Sequence, residues 1–273
     1  MRQSSRTTPL RQRGFTLVEL VMVIVIMGVI GAVVAVFMRS PIDAYLDSSR
    51  RAALTDTADT AVRRMSRDVR KALPNSVRTP NPQCLEFIPT RTGGRYRTAE
   101  TVAGDNTSLN FAVADTTFNM LGQNSLSPAD QQIQIGDTIA VYNLGIAGAS
   151  AYLGNNTAAV TGVTDGAETT ISIAAKQFPL ESGSTRFHVI PLEEQVVAYV
   201  CTGGNLRRTV ITGSFVSACP TTGPVLATNV ESCTFVYNGS DLLRNGLVQI
   251  QLNLSSNNEP VRLYHEVHVN NSP

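Results

Sequence analysis

Glu19 is the side chain in this sequence whose position demands a chemical reason. From Phe15 to Met38 only Thr16 and Glu19 are strongly polar, and Leu20 to Met38 is an unbroken run of apolar residues and glycine. An acid at the centre of a membrane helix costs roughly 2.5–3.5 kcal/mol on insertion scales. Acids inside membranes usually have a partner and a function. Just before Glu19 the sequence switches from basic to apolar at Arg13-Gly14-Phe15.

Four cysteines form the second candidate set: Cys84, Cys201, Cys219 and Cys233, with no Cys-x-x-Cys pair and no histidine at zinc-finger spacing. An even number of scattered cysteines beyond an apolar segment points to disulfides in an oxidising compartment. Three connectivities are open. Cys201 and Cys219 bracket one strand and a turn-rich segment, so the expected pairs are Cys201–Cys219 and Cys84–Cys233.

The three histidines are His188, His265 and His268. His265-Glu266-Val267-His268 imitates a metal motif, but residues three apart in a strand point to opposite faces. His265 is expected on an apolar face with Leu263 and Val267, as a core histidine, and no metal ligands are assigned. There is no G-x-S-x-G elbow and no Walker loop. Gly136-Asp137 and Asp165-Gly166 read as turn or bulge chemistry. A calcium site in the loops stays open, because scattered carboxylates leave little sequence signature. No catalytic residue and no cofactor are expected.

The elements that must position these residues begin with the leader. Residues 1–14 carry Arg2, Arg6, Arg11 and Arg13 and no acid, and losing those four arginines changes the formal net charge from +1 to −3. The apolar run is long enough to cross a bilayer, which needs about 20 residues. The arginines before it favour a cytoplasmic N-terminus. After Pro41, Ala58, Val62, Met65, Val69 and Leu73 recur at helical spacing, and Asp47/Arg51 and Asp59/Arg63 lie four apart. Pro41 is expected to bend this helix, and Pro74-Asn75 to stop it. Arg63, Arg64, Arg67, Arg70 and Lys71 read as a solvated face, partly neutralised by Asp59 and Asp68. No aromatics interleave for base stacking, so no nucleic-acid partner is expected.

Past the turn at Arg78-Thr79-Pro80-Asn81-Pro82, β periodicity takes over. Expected strands are residues 84–90, 109–113, 133–143, 169–174, 186–190, 195–201, 206–211, 233–237, 247–254 and 261–269. The last two should pair as a hairpin around Ser255–Pro260. Residues 91–185, rich in Gly, Ser, Thr, Asn and Ala, read as an insertion-like, variable region.

Gly14-Phe15-Thr16-Leu17-Val18-Glu19, behind a basic leader and directly ahead of the apolar run, resembles the class III signal of type IV prepilins and type II secretion pseudopilins. The resemblance implies that a prepilin peptidase cuts after Gly14 and methylates Phe15. It implies that Glu19 then pairs with the N-terminal amine of a neighbouring subunit. The implied fold is α+β and pilin-like, with a long N-terminal helix packed on a mainly antiparallel β-rich C-terminal domain. The corresponding divisions are a cleaved leader at 1–14, a transmembrane half-helix at 15–38, an amphipathic half-helix at 39–73 and a β-rich head at 74–273. The implied partners are the peptidase, other minor and major pilin subunits, an inner-membrane assembly platform and membrane lipid. The head would face the periplasm and later the filament. Val197-Ala198-Tyr199-Val200-Cys201, Asn229-Val230-Glu231-Ser232-Cys233 and the carboxy-terminal segment from Gly246 resemble large minor pilins. Three roles are left open by this reading: a minor pilin acting in pilus assembly and initiation, a minor pseudopilin of type II secretion, and a tip adhesin or DNA-binding pilin.

Overall fold

The computed structural model describes residues 14–216, 219–239 and 245–273. The leader arginines Arg2, Arg6, Arg11 and Arg13 lie outside the described residues. The chain divides between Arg50 and Arg51 into two units, and helix α1 (Leu17–Arg70) runs through both.

In the first unit, the described residues from Gly14 to Arg39 are all exposed. Valine and isoleucine dominate this part of α1, although β-branched side chains lose rotamer freedom in a helix. A bilayer reverses that preference, because only a helix satisfies every backbone donor and acceptor within one segment. Among the described residues α1 is the one helix long and apolar enough to cross a membrane. Pro41 sits inside it.

In the second unit α1 buries one stripe. Leu54, Ala58, Ala61, Val62, Met65 and Val69 are buried, at the three- and four-residue spacings that align side chains on one helix face. Beyond Arg70, Ala72 bridges Pro89, and Asn75 takes a left-handed φ of 58°.

Fourteen strands follow among the described residues. The first seven are β1 (Arg78–Asn81), β2 (Cys84–Phe87), β3 (Thr92–Arg95), β4 (Asp115–Met120), β5 (Thr138–Val141), β6 (Thr157–Asp165) and β7 (Thr169–Lys176). The remainder are β8 (Arg186–Ile190), β9 (Val196–Thr202), β10 (Asn205–Ile211), β11 (Val225–Ala227), β12 (Val230–Asn238), β13 (Asn245–Ser256) and β14 (Glu259–Asn270). They make three sheets, ordered β1-β2-β9-β10-β11, β3-β8-β5-β6-β7-β4 and β12-β13-β14, and every pairing is antiparallel. The fold is therefore α+β, with the part of α1 in the second unit packed on an antiparallel β-rich domain.

The first and third sheets share one core with the helix stripe. Leu85, Phe87, Val197, Tyr199 and Leu206 meet Phe235, Val248, Ile250, Leu252, Leu254 and Val267 there. The β13–β14 hairpin matches the expected pairing but turns more tightly. Ser256 opposes Glu259, and only Asn257 and Asn258 lie between, at φ 51° and 66°. Two positive φ values in a two-residue loop suit the right-handed twist of the flanking strands, and asparagine tolerates that region.

The six-stranded sheet closes on itself. Tyr96, just past β3, bridges Met120 of β4, and the Leu121 N–H donates to the Arg95 carbonyl at 2.9 Å. The small barrel encloses its own core, with Phe118, Ile139, Ile171, Phe187 and Val189 fully buried. Gly94 is an inward position: a Cβ there would come within 2.8 Å of both the Met120 sulfur and the Phe187 ring.

The disulfides correct the expected pairing. The bonds are Cys84–Cys219 and Cys201–Cys233, with Cα–Cα distances of 6.0 and 6.3 Å, not Cys201–Cys219 and Cys84–Cys233. Strand parity is the reason. Cys84 lies opposite Val200 and packs with Ala198 and Val200 on one face of the first sheet. Cys201 follows on the other face, packed against the helix core with Cys233. Successive side chains alternate faces, so Cys84 is turned away from Cys233, and Cys201 is turned away from Cys219.

Candidate processing and assembly site

The start of α1 is built by two side chains. The Thr16 N–H and the Thr16 hydroxyl each donate to Glu19 Oε2 at 3.1 Å. The Glu19 N–H donates back to Thr16 Oγ1 at 3.3 Å. This is a reciprocal capping box, in which a threonine and a glutamate three residues on satisfy donors that the first turn leaves unpaired. A carboxylate here also faces the positive end of the helix dipole. The Thr-x-x-Glu spacing in the sequence carries this signal.

Gly14 and Phe15 precede the helix, in no regular structure, and Phe15 is 86% exposed. Among the described residues, nothing lies within 4 Å of where a Gly14 Cβ would stand. The Gly14–Phe15 peptide bond thus lies outside the helix.

The other sequence candidates are dispersed over the head. His265 is half-buried opposite Ile250, whereas His268 is exposed, on the opposite face of β14. Asp137 is no simple turn residue. It is buried, accepts the Gln134 and Leu192 N–H groups at 2.9 and 3.1 Å, and meets Arg91 at 3.2 Å. Burial pushes its carboxyl up. Asp165 accepts from the Asn124 and Ser125 N–H groups and from the Thr169 hydroxyl. Its bonds to Ser125 and Thr169 hold it down to about 2.

Cys84, Glu86 and Cys219 gather in a geometry that could hold a metal. Their capacity is taken up internally. The two sulfurs are bonded to each other, and Glu86 accepts from Arg78 Nε and the Cys219 N–H, both at 3.1 Å.

Asp68 behaves differently from its sequence role as a neutraliser of the basic helix face. It turns into the first sheet and accepts from the Tyr199 hydroxyl at 2.6 Å and from Arg208 Nε at 2.8 Å. Arg208 also donates twice to Glu194, at 3.0 Å each. Burial, reinforced by Asp68, holds the Tyr199 phenol well above its usual range. Burial opposes the Arg208 charge, but Glu194 and Asp68 more than offset it. Arg63 pairs with Asp59 at 2.6 Å, while Arg64, Arg67, Arg70 and Lys71 are exposed.

Residues 9–35 match the prokaryotic N-terminal methylation motif. The match spans the basic-to-apolar junction, the cap and the first part of α1, so the chain carries a prepilin-type signal, which supports a type IV pilin-like protein. Together with the exposed apolar helix it supports membrane anchoring. No curated protein and no solved structure matches the chain.

Proposed function

We propose that this chain is a minor pilin-like subunit of a type IV pilus that acts in assembly and initiation. In this reading prepilin peptidase cuts between Gly14 and Phe15 and methylates Phe15. The N-terminus is cytoplasmic, the apolar half of α1 holds the chain in the inner membrane, and the head faces the periplasm before entering the filament. Other pilin subunits and an inner-membrane assembly platform are its partners, and its role is structural rather than catalytic. The observation that carries the reading is the arrangement at the start of α1. A Gly14–Phe15 bond outside the helix stands just before an acid held in the first turn of an apolar helix, all within the matched motif. Cutting there frees an amine next to a lipid-embedded carboxylate. A neighbouring subunit's amine then relieves the cost of that charge, so assembly is favoured over dispersal.

The carboxy-terminal segment from Gly246 and the residues around Cys201 and Cys233 support a finer assignment, by their resemblance to the O-type protein of mannose-sensitive haemagglutinin pilus biogenesis. A related overall plan occurs in the minor J-type pseudopilin of type II secretion. The test of processing is intact-protein mass spectrometry on membranes from cells with active prepilin peptidase. The expected species begins at N-methylated Phe15, and a retained leader would overturn the reading.

A further inference from the structure

Arg95 of β3 and Arg186 of β8 are directly opposed on neighbouring strands of the barrel. The neighbouring pair on the same face is Gly93 opposite His188. Like charges directly opposed on antiparallel strands destabilise a sheet. Both arginines are exposed, and among the described residues neither forms an ion pair. Glu181, in the segment before β8, is exposed and pairs with neither.

The surface between them is concave. An open depression of about 430 Å³ is lined by both arginines with Thr90, Gly93 and His188. Glycine is required in its floor, because a Cβ on Gly93 would come within 2.9 Å of the Phe187 carbonyl oxygen. Its absence leaves the arginines with no neighbouring side chain at that position. His188, opposite Gly93 on the neighbouring strand, lines the same depression.

We propose that this depression binds an oxyanion, with the Arg95 and Arg186 guanidiniums as its clamp and His188 as its wall. Guanidinium forks suit phosphate, sulfate and carboxylate groups, which accept two parallel hydrogen bonds. A bound oxyanion turns the repulsive pair into a bridged one. The site lies wholly in the head and stands independently of the filament reading.

The experiment uses the full chain in neutral detergent, with thermal unfolding followed by circular dichroism. Inorganic phosphate, a sulfated monosaccharide and galacturonate are each titrated against chloride at matched ionic strength. The expected result is a saturable rise in Tm with at least one of them, and the most effective arm distinguishes an ester oxyanion from a carboxylate. The rise should vanish in Arg186→Gln and in Arg95→Gln and persist in Arg64→Gln on the helix. Without the anion, the two barrel variants should melt no lower than the wild type, because the repulsion is gone. Should one barrel variant fail to fold, the other carries the same comparison. Equal melting in every anion and in chloride would overturn the proposal, as would an undiminished rise in the barrel variants.

Discussion

Thr16 and Glu19 hold each other across the first turn of α1, with the threonine N–H and hydroxyl donating to the carboxylate and the glutamate N–H returning a bond to the hydroxyl. The same carboxylate therefore has a local task before any neighbour arrives. Glu19→Gln separates the two tasks, because glutamine keeps the capping geometry and loses the charge. If the charge recruits a neighbouring amine, this variant should be processed normally and be depleted from sheared filaments. Glu19→Val, which loses both, should insert as well as or better than wild type and be equally depleted. Wild-type filament incorporation of Glu19→Gln, read by immunoblot, would reduce Glu19 to a helix cap.

Thr16→Ala tests the cap from the other side. It removes the acceptor for the Glu19 N–H and the hydroxyl donor, at a cost of about 1 kcal/mol for a typical N-cap. The carboxylate and its charge remain. Processing and incorporation should be largely retained, with faster amide hydrogen exchange confined to the first turn of α1. An incorporation defect as deep as that of Glu19→Gln would show that the box, not the charge, is what assembly uses.

The disulfides make a third prediction. Cys84–Cys219 joins residues 135 apart and Cys201–Cys233 residues 32 apart. The chain-entropy model assigns about 5 and about 4 kcal/mol to loops of these lengths. Cys84→Ser with Cys219→Ser, and separately Cys201→Ser with Cys233→Ser, should each lower the urea midpoint. Peptide mapping of the non-reduced protein should recover 84 with 219 and 201 with 233, and either cross-pairing would contradict the sheet parity described above.

That parity also shows where sequence reading stops. The β13–β14 hairpin was legible because Val248, Ile250, Leu252 and Leu254 alternate with polar residues, and one buried face fixes the register. Cysteine pairing depends on which face each cysteine occupies, and that is set by the register of β2 against β9, which no local pattern encodes. In the barrel, β3 is Thr-Gly-Gly-Arg and β6 is rich in alanine and threonine. Glycine and small residues fit a tightly curved wall but carry little strand propensity, so neither strand was expected. Residues 109–113 were expected as a strand because Leu109 and Phe111 alternate. They form a loop instead, where the buried Asp115 carboxylate accepts the Asn110 N–H. At α1 the Thr-x-x-Glu pattern is itself legible as a capping box, in the same residues that place an acid at the start of the apolar run.

The Asp68–Tyr199–Arg208 cluster ties the helix to the first sheet. Tyr199→Phe loses one hydrogen bond to a charged acceptor and should cost about 1.5–3 kcal/mol. Asp68→Ala leaves the phenol without that acceptor, although Arg208 keeps Glu194, and should cost about 2–3 kcal/mol. Because the two residues share one bond, the double variant should be less destabilised than the sum of the singles. Strict additivity in urea unfolding would mean that the bond contributes nothing to stability.

His188 supplies a pH signature for the barrel. Burial first, and then the nearby Arg186 charge, push its imidazole down to about 4, against about 6.5 in an unfolded chain. Below pH 6.5 the unfolded chain binds a proton that the folded histidine refuses until about pH 4. Stability from this group is therefore intact above pH 6.5, falls as pH drops through that window, and levels off beneath it. Other titrating groups add their own slope in both proteins, so the informative quantity is a difference. His188→Gln has no such proton to refuse, and its urea midpoint should decline less than that of the wild type between pH 6.5 and pH 4. Parallel declines in the two proteins would place the imidazole in water rather than in the barrel wall.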